Sequence, residues 1–421
     1  MDKRMKDLVD FIRDKYGLKK YFLHTYQIRS NTTIFNETVY TLDMEWFPDH
    51  EKDWQDEDFN PEGTAYIEMD IHSKEVFTVI FTGGRSYANK KFSFNDRDEI
   101  IKWIEKETGL KYQQQFHFWK EEEGKIHFKE CINGVAVSPS GSIEVKFDDA
   151  GKLTQLFVCG QFPDESLVIQ EKYKLSINLI EGMAKEQLKL AEFPSMEKKK
   201  LVPAYAMEEI YIKNDLSGTL NFEFIVDAKS RLPIDEVMEW ENSSQKSFQR
   251  KELSLVENMA PEQAFSKEPH PDLKPITESE SKMCLESIKL LLSGEFPEDS
   301  GNWILKSLHR EKGYIHAVLK VKEQEERVFH RKLLLFIDPQ TYEVLNYMDN
   351  KSLLEIYKDF QAADLVKVTK EESYDKLKNL IELSPYYVYD FEQEKYVLCG
   401  KLDSQYAVIA SNGDVVNLSE L

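Results

Sequence analysis

Phe222–Val237 reads FEFIVDAKSRLPIDEV. Phe222, Phe224 and Val226 alternate with Glu223 and Ile225, Asp227 opens a polar turn, and apolar residues return at Leu232. Alternation at period two turns one side of a strand toward a core, so this stretch predicts a β-hairpin. The same order recurs along the chain. Ile67, Met69 and Ile71 lead to His72 and a return at Val76, and Ile143, Val145 and Phe147 lead to Asp148 and Leu153. Leu333, Leu335 and Ile337 lead to Asp338 and Val344, and Tyr406, Val408 and Ala410 lead to Ser411 and Val415. A polar side chain at a turn entrance accepts hydrogen bonds from the backbone N–H groups that follow it. That role accounts for Asp227 and its counterparts without catalysis.

Helical spacing precedes most copies. Asn95 is placed to cap a helix that carries Ile100, Ile101 and Ile104 and stops at Gly109. Tyr173, Ile177, Ile180, Ala184 and Leu188 recur at helical steps between Leu167 and Leu190. Thr277 with Glu280 and Thr369 with Glu372 spell capping boxes. Behind them run the stripes Cys284, Ile288, Leu291 and Tyr374, Leu377, Leu380, Ile381. The N-terminal MDKRMKDLVDFIRDKYG is amphipathic, and the Met, Cys and aromatic residues of these stripes read as core. Further strands lie in TVYTLDMEWF, in FHFWKEEEGKIHF turning at Glu122–Gly124, in AYAMEEIYI, and in WILKSLHREKGYIHAVLKV.

The expected fold class is therefore α+β, with tandem units of one helix packed on an antiparallel β-meander in about five copies. The expected units are 1–90, 91–165, 166–253, 276–350 and 351–421. Pro261, Pro269, Pro271 and Pro275 mark residues 254–275 as a stiff linker without regular structure.

Composition narrows function. The 421 residues include 55 basic and 76 acidic ones, for a net charge of −21. A field of that sign repels phosphate backbones, and the one basic run, Lys198–Lys200, reads as a solvated turn, so no nucleic-acid partner is expected. With 41% hydrophobic residues the chain can build real cores. No stretch nears the ~18 consecutive apolar residues of a membrane helix, and the N-terminus lacks the apolar core of a secretory signal. Cys131, Cys159, Cys284 and Cys399 lie far apart, which fits reduced thiols in a cytoplasmic protein.

The segment FWKEEEGKIHFKECINGVAVSPSGSIEVKFDDAGKLTQLFV, with Ile132-Asn133-Gly134, the strand to Asp148 and the Gly151 turn, resembles the YcdB/YcdC repeat proteins of Bacillus and relatives, themselves related to PepSY domains. LVPAYAMEEIYI followed by FEFIVDAKS, and the helix start at Val368-Thr369, carry the same likeness, which covers the chain from about Leu110 onward. Arg231 and Tyr342 stand where that pattern usually has a turn glycine. The resemblance implies PepSY/cystatin-like units, which are best known as inhibitory or chaperone-like segments of secreted peptidases. It implies no catalytic residues.

Candidate chemistry is sparse. Nucleotide-binding, nucleophile-elbow and H-E-x-x-H patterns are absent, and Gly83-Gly84 reads as a simple turn. Asp56, Asp58 and Asn60 have the spacing of the first ligands in a calcium loop, but Pro61 and Ile67 occupy places where an EF-hand needs Gly and Glu. A solvated acidic loop over 49–63 is the plainer reading. His117 and His127 could face one another across the Glu122–Gly124 turn with Cys131 nearby, as a zinc site would need. Lys125 and Lys129 oppose a cation there, and surface imidazoles are preferred. His309 and His316 are placed similarly across Gly313, without an evident third ligand. Glu208-Glu209 and Asp235-Glu236 are pairs that so acidic a chain contains by chance. Hence no catalytic, cofactor or metal residues are assigned, and no cofactor is expected. The functional expectation is a non-enzymatic protein- or peptide-binding regulator that uses open sheet edges for strand addition. Aromatic-rich Pro385–Tyr389 would serve either that surface or a core. The alternatives are an enzyme with its site between the two halves, and weak calcium binding by the 49–63 loop.

Overall fold

A computed structural model describes residues 2–56, 58–94, 96–220, 231–241, 248–254, 259–322 and 327–421. Helix α1 (Lys3–Tyr16) begins at Asp2, whose carboxylate accepts the Arg4 N–H, and ends at Gly17 in the left-handed conformation. Met5, Leu8, Val9 and Ile12 are buried on its inner face. A meander follows: β1 (Tyr21–Thr32), β2 (Thr38–Pro48), β3 (Ala65–Asp70) and β4 (Val76–Phe81). Next come α2 (Arg97–Thr108), β5 (Phe116–Glu122), β6 (Lys125–Ile132), β7 (Val135–Ser138), β8 (Ser142–Phe147) and β9 (Leu153–Cys159). Asp96, not Asn95, caps α2 by accepting the Glu99 N–H; Asn95 lies outside the described residues.

The first departure from independent units comes here. β4 pairs antiparallel with β9, so both meanders form one sheet over one core. Tyr40, Leu42, Met44 and Trp46 of β2 share that core with Ile104, Phe128 and Val145.

The remaining elements are α3 (Glu181–Gln187), β10 (Leu188–Ser195), β11 (Lys200–Met207), β12 (Ile210–Lys213), β13 (Thr219–Leu220), β14 (Leu232–Met238), α4 (Pro261–Ser266) and α5 (Glu278–Glu295). Then follow β15 (Trp303–Glu311), β16 (Tyr314–Val321), β17 (Lys332–Ile337), β18 (Val344–Asp349), α6 (Lys351–Leu354) and α7 (Lys370–Leu377). β19 (Glu382–Asp390), β20 (Lys395–Asp403), β21 (Tyr406–Ile409) and β22 (Val415–Asn417) complete the chain.

The described residues form a mostly β molecule, and the expected α+β array of about five tandem helix-on-meander units is not what they build. One sheet has 13 strands in the order β1-β2-β3-β4-β9-β8-β6-β7-β19-β20-β12-β13, with β5 paired to β6. A second sheet runs β10-β11-β21-β22 and a third β14-β15-β16-β17-β18. β7 lies parallel to β19, Ala136 opposite Tyr386 and Val137 opposite Tyr387. Segments far apart in sequence thus interleave, and Leu188, Ile212, Leu377, Leu402 and Val408 share one core. Period two tells which side of a strand is apolar; it does not tell which strand satisfies its backbone edge.

Several local readings change for related reasons. Residues 221–230, which include Phe222, Asp227 and the whole of FEFIVDAKS, lie outside the described residues. Their expected return strand, β14, pairs with β15 beyond the proline-rich segment. AYAMEEIYI divides into β11 and β12, which enter different sheets. The expected helix over 167–190 shrinks to α3, because the backbone before it is held by neighbours. The Ile169 N–H donates to the Tyr396 carbonyl at 2.9 Å, and the Lys174 N–H donates to Asn214 Oδ1 at 2.8 Å. The proline-rich segment contains α4, with Pro261 at the first helical position, where the missing N–H costs nothing. It packs on the first sheet: the Met259 N–H donates to the Ile28 carbonyl at 3.1 Å, and the His270 N–H to Thr38 Oγ1 at 2.7 Å.

The turns behave as their chemistry requires. Asp148 Oδ1 accepts from the Ala150 and Lys152 N–H groups, and Asp338 Oδ1 from those of Gln340 and Thr341. In the first copy Asp70 does this, serving His72 and Ser73, and in the last Asn412 serves Asp414. Tyr342 has φ 59°, so its turn keeps the left-handed geometry that glycine usually supplies.

Candidate functional site

His117 and His127 do not meet. A bulge between Phe118 and Lys120 sets His117 opposite Lys129 and His127 opposite Lys120. Cys131 Sγ lies 3.8 Å from the Gln113 carbonyl, and His127 Nδ1 lies 3.4 Å from Glu144 Oε1. The acidic loop is spent on local bonds: Asp56 Oδ1 accepts the Asp58 N–H at 3.0 Å, while Asn60 Nδ2 donates to Glu45 Oε1 at 3.2 Å. Gly83 and Gly84 form a turn with φ 69° and 67°. Both acidic pairs face lysine: Glu209 and Lys401 lie 2.8 Å apart, Glu236 and Lys289 3.4 Å, and Asp235 contacts Lys306. In Pro385–Tyr389, Tyr387, Val388 and Tyr389 are buried, so this stretch is core.

His309 and His316 do come together, and with a third group. They are directly opposed in the β15–β16 hairpin, with ring centroids 5.1 Å apart. Glu311, two residues beyond His309 on the same strand face, places Oε2 3.5 Å from His309 Nε2 and 3.5 Å from His316 Nδ1. Among the described residues this is the group of three His, Cys, Asp or Glu side chains whose ligand atoms lie close enough to share a metal ion. Burial, helped by the neighbouring His309 and Lys312 against the pull of Glu311, pushes the His316 imidazole down to about 4, so it is neutral at pH 7. A hydrogen bond from His309 holds the Glu311 carboxyl below its ordinary range. The signal was present as His-x-Glu across a Lys312-Gly313 turn from His316, but an acidic residue in so acidic a chain does not stand out.

Glu130 is a second unusual carboxyl, 1% exposed at the end of β6. Burial pushes it up to about 7, against the pull of backbone N–H groups from Gly141, Phe162 and Gln161. Its Oε2 accepts from Gly141 and its Oε1 from Phe162, both at 2.8 Å. It ties together the β6, β8 and β9 ends, and its surroundings are closed.

A groove of about 350 Å³ lies where the second sheet meets the segments 327–329 and 354–363. Pro194, Leu201, Phe329, Leu354, Tyr357 and Phe360 form its apolar lining, and Glu192, Arg327 and Lys358 its charged one. Phe329 stacks on Tyr357 with centroids 5.9 Å apart yet remains 53% exposed. Leu353 and Ile356 beside it are 71% and 57% exposed. The chain's own backbone already adds to the sheet here: the Val328 N–H donates to the Glu192 carbonyl at 3.2 Å, and the Leu201 N–H to that of Gln361 at 3.0 Å. No continuous motif marks this groove, because its residues come from four separate stretches.

No family model matches the chain, and no curated protein matches it. Among solved structures it is similar to the Bacillus megaterium YpeB C-terminal domain, with a TM-score of 0.23 and 11% identity, covering 49% of this chain and 86% of that one. A likeness of that size carries no argument about fold or activity.

Proposed function

We propose that the chain is a non-catalytic protein that captures an extended peptide segment of a partner in the groove beside β10. The groove itself carries this reading: an apolar floor with a charged rim against the edge strand of a sheet. A peptide there has pockets for alternate side chains and would continue along β10 the pairing that Val328 begins at Glu192. The Glu192–Val328 and Leu201–Gln361 bonds are short internal examples of such pairing. In the polar lining Glu192 and Arg327 face each other at 3.5 Å, and Lys358 adds a positive charge suited to a peptide carboxylate. Exposed Leu353 and Ile356 extend the apolar surface beyond the groove. The sequence resemblance to the PepSY-related YcdB/YcdC proteins is in keeping with this reading, since PepSY-type segments are best known as inhibitory or chaperone-like.

The test is selection of displayed random peptides on the immobilised full chain, followed by binding to the double variant Phe329→Asp, Ile356→Asp. Both residues are exposed, so the fold should persist. Recovered peptides should carry apolar residues at alternate positions and bind the variant at least about tenfold more weakly, a loss of ~1.4 kcal/mol. Failure to enrich any peptide, or equal binding to the variant, contradicts the reading.

A further inference from the structure

We propose that His309, Glu311 and His316 bind a divalent transition-metal ion of the zinc class, through His309 Nε2, Glu311 Oε2 and His316 Nδ1. The site follows from the hairpin. Glu311 and Tyr314 close it, and Lys312 and Gly313 between them have φ 50° and 78°, the two-residue turn with both angles positive. That turn fixes the register that sets His309 against His316, and the strand pleat brings Glu311 to the same face.

The distances suit a small tetrahedral ion. Zinc–nitrogen and zinc–oxygen bonds of about 2.0–2.2 Å at the tetrahedral angle separate neighbouring ligand atoms by roughly 3.3–3.6 Å. Two of the three edges are 3.5 Å, and the ligand atoms all lie within 4.8 Å of one another. A modest turn of one imidazole closes the third edge. Two imidazoles and one carboxylate form a borderline donor set that favours zinc and its first-row neighbours over calcium or magnesium, which prefer all-oxygen cages.

Burial argues the same way. The His316 side chain is 6% exposed and that of His309 13%, against 43% for Glu311. The site is therefore closed around the imidazoles and open on the carboxylate side, leaving room for a water or an outside group as fourth ligand. Phe336 packs edge-on to His316, with centroids 4.9 Å apart, and restricts its ring. His309 Nδ1 and His316 Nε2, the nitrogens facing away from Glu311, are buried without a partner among the described residues. Dedicated structural zinc sites support those nitrogens with hydrogen bonds, so this ion should exchange readily. Lys312 opposes the ion, but its Nζ lies 4.0 Å from the other oxygen, Glu311 Oε1, on a side chain that is 60% exposed. It can swing away.

The experiment titrates the chelator-treated full chain with zinc chloride by calorimetry and with cobalt(II) by absorption. The wild type should take up one equivalent at this site, with the visible bands of a four-coordinate cobalt site. Glu311→Gln should weaken uptake by at least about tenfold, His316→Ala should abolish it, and Lys312→Gln should tighten it. His117→Gln should leave it unchanged. Absence of uptake by the wild type, or equal uptake by Glu311→Gln and His316→Ala, overturns the proposal. Should His316→Ala fail to fold, the half-exposed Glu311→Gln decides alone, with its melting curve confirming the fold.

Discussion

Leu232 sits opposite Leu308, and Met238 at the other end of the same strand sits opposite Trp303. The strand that the sequence places in a local hairpin is thus the edge of a sheet assembled by residues beyond the proline-rich segment. Met238 and Trp303 are both fully buried and share a core with Cys284, Ile288 and Leu319.

Met238→Ala should therefore destabilise the sheet formed by β14–β18. A buried methionine cut to alanine leaves a cavity and costs about 2–5 kcal/mol. Denaturant unfolding followed by tryptophan fluorescence, which senses Trp303, checks this. A loss below about 0.5 kcal/mol would mean that β14 does not pack there.

Glu280 closes the capping box of α5 and also meets Arg310, whose Nη2 lies 2.6 Å from Glu280 Oε1. Burial alone would raise the Glu280 carboxyl, but the Thr277 N–H, the Thr277 hydroxyl and Arg310 outweigh it and hold it at about 2. A depressed carboxyl pKa contributes stability that is full above the unfolded value of 4.5 and lost as pH falls toward 2. Acid titration of stability should show this limb. Arg310→Met should flatten it and cost roughly 3 kcal/mol at pH 7.

Glu130 predicts the opposite slope. Its folded value of about 7 exceeds the ordinary 4.5, so the folded state holds the proton more tightly than the unfolded chain. Its contribution to stability should fall as pH rises from about 4.5 to about 7 and then level off, by on the order of 3 kcal/mol. The difference in unfolding free energy between wild type and Glu130→Gln, measured across that window, isolates the effect. A difference independent of pH would show that Glu130 titrates normally.

Local chemistry was legible in the sequence, and long-range pairing was not. Thr277 with Glu280 and Thr369 with Glu372 form the capping boxes that their spacing spells, because a cap is decided within four residues. Tyr40, Leu42, Met44 and Trp46 are buried as their alternation requires. The mostly β fold departs from the expected α+β array because the pairing of Ala136 with Tyr386, or of Ala204 with Ile409, depends on which edge is free after collapse. Nothing in either stretch encodes its partner. The histidine sites show the same limit on a smaller scale. A bulge at Phe118 and Lys120 shifts the register that would have joined His117 to His127, whereas the hairpin from His309 to His316 keeps its register and gains Glu311. The groove draws on four stretches and leaves no continuous motif.

The central claim, that a partner's extended segment lies along β10, is tested most directly by amide hydrogen exchange. The full chain would be compared alone and with a peptide recovered by selection. The account predicts slowed exchange in Leu188–Ser195 and in 327–329. Slowing confined to the β1 or β18 edges, or unchanged exchange at β10 with peptide bound, would contradict it.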